Sequence, residues 1–159
     1  MKRIFLASTL ALATAFSASA MDSKVESVKV DFDLTAVKSQ EAAHYWRNLE
    51  PDLETAIVER IGPNFADKGL KVDVDIDELN ISDTYDVALG RASVLQGIVT
   101  IKSDDEDSEP KLYDVKVLFS DRPTVVSTDD QIGIVPTPTD AVYGTMVDTF
   151  ADRVASKID

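Results

Sequence analysis

The chain crowds carboxylates closely enough to hold a cation in two places. Asp73-Val-Asp75-Ile-Asp77 sets acids at alternate positions, and Asp31-Phe-Asp33 echoes it upstream. Acids at positions 1, 3 and 5 are how a calcium loop begins, because a hard cation wants several converging oxygens. The rest of that pattern is missing. The sixth position is Glu78, where the turn needs glycine, and the twelfth is Thr84, where a bidentate Glu belongs. Alternate spacing is also how an ordinary strand keeps one face in water. The second cluster is Asp104, Asp105, Glu106, Asp107 and Glu109. It suits weak, fast-exchanging Ca²⁺ or a basic partner, and equally a hydrated hairpin tip held open by like charges. The metal candidates are thus Asp104, Asp105 and Asp107, with Asp73, Asp75 and Asp77, and they remain weak ones.

Other chemistries are constrained by what the chain lacks. There is one histidine, His44, so any Ser-His-Asp mechanism must run through it. The nearest approach to a nucleophile elbow, Gly90-Arg-Ala-Ser93, fails because position 95 is Leu. One His and no Cys leave no ordinary zinc site, thiolate nucleophile or disulfide. The six glycines are scattered and make no phosphate loop. Twenty-nine acids offer many carboxylate pairs for glycoside chemistry, but nothing singles out two of them. No catalytic residue and no cofactor are therefore assigned. Tyr45 and Trp46 read as core and helix flank rather than as a ligand platform.

Residues 121–138 hold three prolines and no strong periodicity, so they read as a long loop. Ile132, Ile134 and Val135 lie there between Asp129-Asp130 and Pro136-Thr-Pro138. Apolar residues on a proline-stiffened segment carry a reduced ordering cost, which favours binding a protein partner. The competing reading tucks them over the open end of the core as a lid.

The positioning elements follow from apolar spacing. Residues 25–37 alternate, with Val28, Val30, Phe32 and Leu34 on one side. Ser39 stands where a helix cap belongs, and Ala42, Trp46, Leu49, Leu53, Ala56 and Ile57 recur at helical spacing as far as Gly62-Pro63. Pro51 interrupts this stripe, which predicts one kinked helix, or else two abutting helices with Pro51 opening the second. Residues 70–81 alternate again, with a phase slip near Asp77-Glu78 that predicts a β-bulge. Residues 92–102 are apolar on both faces, as in a central strand, with Gly97 marking a bulge or a close approach. Lys111–Ser120 pairs with them as a hairpin. A last helix opens at Thr139 or Asp140 and buries Tyr143, Met146, Val147, Phe150, Val154 and Ile158. The expected fold class is α+β, a two-layer sandwich in the order β-α-β-β-β-α. About four mostly antiparallel strands carry two helices on one face.

At the N-terminus, Lys2 and Arg3 precede an apolar run from Ile4 to Phe16, and Ala18-Ser19-Ala20 follows. This is the pattern of a signal peptide over residues 1–20, cleaved between Ala20 and Met21. Removing 20 of 159 residues leaves 139, a single acidic domain over 21–159. Lys2 and Arg3 leave with the signal, so the formal charge moves from −13 to −15. Such a field argues against nucleic acid and against anionic membrane surfaces. No cysteine stands at the cleavage point to accept a lipid.

The expected location is the periplasm or beyond, without membrane insertion once the signal is gone. The expected function is a non-enzymatic binding or adaptor protein whose partner is another envelope protein. It would be contacted through the 121–138 loop or an open sheet edge. The alternative is a weak Ca²⁺ or cationic-ligand binder using the clusters at 73–77 or 104–109.

Overall fold

The computed structural model describes residues 23–103, 105, 107–120, 124–128, 131–135 and 138–158. Residues 1–20, expected to be a signal peptide, and the expected cleavage site after Ala20 lie outside the described residues. Four strands form one sheet in the order β1-β2-β3-β4: β1 (Val25–Phe32), β2 (Leu70–Asn80), β3 (Ser93–Lys102) and β4 (Lys111–Phe119). The β1–β2 pair is parallel, and the other two pairs are antiparallel. Parallel neighbours need a long crossover, supplied by α1 (Leu49–Ile61). A short helix α2 (Thr84–Ala88) joins β2 to β3, and α3 (Thr139–Ala155) closes the order.

Alternation is the reason the sheet is two-sided. Val72, Val74 and Ile76 on β2, Leu95, Val99 and Ile101 on β3, and Val115 and Val117 on β4 are all buried. They face one layer made of α1 and α3, which contribute Leu49, Leu53, Ile57, Met146, Phe150 and Val154 to the same core. Both helices therefore lie on one face, as the single apolar stripe on each requires. Arg60 of α1 joins them at the rim, with Nη2 3.0 Å from Asp148 and Nε on Asp152 of α3.

The predicted bulge is present. The β2–β3 register slips between Ile76 and Glu78, leaving Asp77 as the extra residue. Gly97 stands opposite Ile76, where a Cβ would lie 2.5 Å from the Asp75 carbonyl oxygen. The bulge and the close approach are thus one feature.

Two sequence expectations are corrected. Residues 39–61 do not form one kinked helix. A single tight turn at Ala42–His44 precedes α1, and Pro51 is the third residue of α1. The first N–H groups of a helix have no intrahelical acceptor, so proline loses no hydrogen bond there. Its helix-breaking cost is avoided by starting the helix at Leu49. Residues 121–138 are not simply a loop. They contain β5 (Thr124–Thr128) and β6 (Gln131–Val135), antiparallel, with Val125 opposite Ile134 and Ser127 opposite Ile132. Five-residue strands are too short to establish a period. The three prolines lie outside both strands, bounding the hairpin rather than interrupting it.

Candidate functional site

The carboxylates of 73–77 lie along the sheet face turned away from the helices. Register sets Asp73 beside Lys29 and Asp75 beside Asp31, with Thr100 and Ile98 on the other flank. Lys102 Nζ lies 2.7 Å from Asp73 Oδ2, and Lys29 Nζ lies 2.7 Å from Asp31 Oδ2. Lys102 thus partners Asp73 across strands and Lys29 partners Asp31 along β1, while Asp77 is carried by the bulge. In the β3–β4 turn, the Asp105 N–H donates to Ser103 Oγ at 3.2 Å. The Asp107 N–H donates to Asp105 Oδ1 at 3.4 Å. These contacts shape the turn from within. Asp104 lies outside the described residues. Among the described residues, no three His, Asp or Glu side chains group to hold a metal ion.

The two sheet edges differ. On β1 the Val30 N–H donates to Glu54 Oε1 and the Phe32 N–H to Glu50 Oε1, each at 3.1 Å. Both glutamates belong to α1, and being four apart they share a face of the helix. The outer edge of β1 is therefore already occupied by side-chain acceptors. The far side of β4 pairs with no strand among the described residues. There the Arg153 guanidinium donates to the Lys116 carbonyl. Beside that edge, on the face without helices, Leu112 is 66% exposed, Leu118 61% and Ile98 40%. Ile132, Ile134 and Val135 all fall on β6, in the segment that follows β4 along the chain.

A second feature lies between the approach to α1 and the start of α3. Tyr45 and Tyr143 stack with ring centroids 4.1 Å apart and planes 13° apart. The Tyr45 hydroxyl donates to Asp140, and the Tyr143 hydroxyl donates to Asp52 Oδ2 at 2.7 Å. Each tyrosine thus bonds an aspartate across the helix pair, in reciprocal fashion. Burial, reinforced by Asp140, pushes the Tyr45 phenol up to about 12. Burial and Asp52 raise Tyr143 as well. Phenols held this way stay protonated through neutral pH and serve as hydrogen-bond donors. An open depression of about 540 Å³ adjoins Tyr45, lined by Glu41, His44, Asn48, Thr139 and Asp140. His44, the one histidine, is exposed at its margin. Tyr45 and Asp52 are seven residues apart, and Asp140 and Tyr143 three. Asp140 and Tyr143 share a face of α3, which was the one local signal for this arrangement; Tyr45 precedes α1 and reaches it through separate turns.

Ser93 is buried, and its Oγ accepts the Ser82 N–H at 2.9 Å. It fastens the end of β2 to the start of β3. No helix among the described residues is long and apolar enough to cross a membrane.

No protein-family model matches the chain. No curated protein matches it. Among solved structures, it is similar to a chain from Caulobacter crescentus CB15 provisionally described as a lipoprotein. The identity is 16% and the TM-score 0.34, over 82% of this chain and 83% of the other.

Proposed function

We propose that this protein is an exported, non-enzymatic binding or adaptor protein that meets a protein partner along β4 and the adjoining 121–138 segment. The observation that carries this reading is the asymmetry of the sheet edges. Glu50 and Glu54 accept from the outer edge of β1, whereas β4 has an outer side that pairs with no strand among the described residues and is flanked by exposed leucines. Unpaired backbone groups invite an added strand, and neighbouring apolar side chains give such an addition affinity and register. The signal-like segment 1–20 supports a place outside the cytoplasm, and the acidic surface supports solubility there.

Capture experiments with the purified protein and an envelope extract test the reading. Leu118→Asp, on β4, and Ile134→Asp, on β6, are expected to lose the partner while the melting temperature stays within about 2 °C, the range of surface substitutions. Undiminished capture by both variants overturns the docking surface. Loss of several degrees in Ile134→Asp makes that residue part of a core lid instead.

A further inference from the structure

We propose that β4 pairs with β4 of a second copy of this chain, antiparallel about a two-fold axis through Val115. In an antiparallel ladder, alternate residues turn both backbone groups toward the same neighbour. The Lys116 carbonyl takes the Arg153 guanidinium at the sheet rim, which places Leu112, Asp114, Lys116 and Leu118 in the outward phase. All four side chains also belong to the helix-free face and are exposed.

The strand is complementary to itself in one register. With the axis at Val115, Asp114 of each copy stands opposite Lys116 of the other, and Leu112 stands opposite Leu118. Two opposite-charge pairs and two leucine pairs then form on one face, and the outward backbone groups bond each other. Moving the axis by one residue, to Asp114 or Lys116, sets like charges directly opposite and leucine against a charge. Cross-strand pairs of opposite charge stabilise antiparallel strands, and like charges destabilise them. A two-fold contact needs a patch complementary to itself, which Leu112-Tyr-Asp114-Val-Lys116-Val-Leu118 supplies. The product is one continuous sheet of eight strands, with four helices on one side. The contact is a single strand wide, and Arg153 must release Lys116 for it to form. The dimer is therefore weak and concentration-dependent.

This inference rests on reading β4 as the open docking edge. Sedimentation equilibrium of the purified protein, from about 10 μM to about 1 mM, tests it across the range of weak association. The wild type is expected to pass from monomer toward dimer mass. Asp114→Lys and Lys116→Asp are each expected to stay monomeric, because each sets like charges opposite. Combining them swaps the pair and is expected to restore association. Both positions are exposed, so thermal melts are expected to show that all four proteins fold alike. A wild type that remains monomeric at the highest concentration overturns the pairing, as does association indifferent to these charges. If a monomeric wild type still loses its envelope partner through Leu118→Asp, self-pairing alone falls and the docking edge stands.

Discussion

Ser39 shows how much one side chain can hold. Its hydroxyl donates to the Ile81 carbonyl and accepts the N–H groups of Ile81 and Ala42, which exhausts a hydroxyl's one donor and two acceptor positions. The capping half of this role follows from a serine standing before a helical stripe. The other half reaches 42 residues along the chain, and no local pattern encodes it. The tyrosine pair carries a measurable consequence at the same scale. Tyr45 is raised from its ordinary value of 10.0 to about 12, and Tyr143 is raised too. A raised folded-state pKa gives stability that is fully present below about pH 10 and is lost as pH climbs toward 12. Denaturant melts are expected to show the midpoint falling across that window in the wild type. A Tyr45→Phe, Tyr143→Phe variant has no phenol to ionise at either position, so its profile is expected to be flatter. An equally steep fall in the variant would assign the alkaline loss elsewhere.

Elements explain why one edge of the sheet is closed. Glu50 and Glu54 reach from α1 to the outward N–H groups of β1, so helix and strand protect one another. Replacing both with Ala leaves two strand donors without these acceptors and is expected to cost about 1–3 kcal/mol in all, from two partly solvent-exposed hydrogen bonds at about 0.5–1.5 kcal/mol each. Light scattering is expected to reveal association through the newly opened edge, while the Gln pair, which keeps an acceptor, stays as the wild type. Scattering identical in the Ala and Gln pairs would remove the protective role. The elements also mark how far the sequence could be read. The four sheet strands, the bulge at Asp77, and the stripe of α3 were legible, because burial on one side forces a period. The start of α1 was not, since a continuous apolar stripe runs through residues 42–48 while the backbone there makes separate turns. The β5–β6 hairpin was missed for a different reason: two five-residue strands beside prolines look like loop. The tyrosine–aspartate pairs were only implicit, because Tyr45 sits in turns ahead of α1 and its meeting with Asp140 depends on how that approach docks on α3.

At the level of the whole molecule, the order of strands along the chain differs from the ease with which they meet. The β2, β3 and β4 strands are consecutive antiparallel neighbours joined by short connections, so each finds its partner locally. The β1 strand must wait for residues 33–69 to fold back over the sheet before its parallel pairing with β2 can form. Closing a longer loop costs more chain entropy before any contact repays it. The strand synthesised first is thus expected to join last, with the three-stranded meander as the seed on which the helices collect. Native-state hydrogen exchange is expected to find the β1 amides opening at lower free energy than those of β3. Equal protection of the two strands would mean that the sheet opens as one unit. Until β1 docks, the edge of β2 is bare. A newly made chain is therefore expected to pass through an interval in which the flank of β2 that β1 will cover is open to any extended segment nearby, and the docking of β1 beneath α1 and its two glutamates ends that interval.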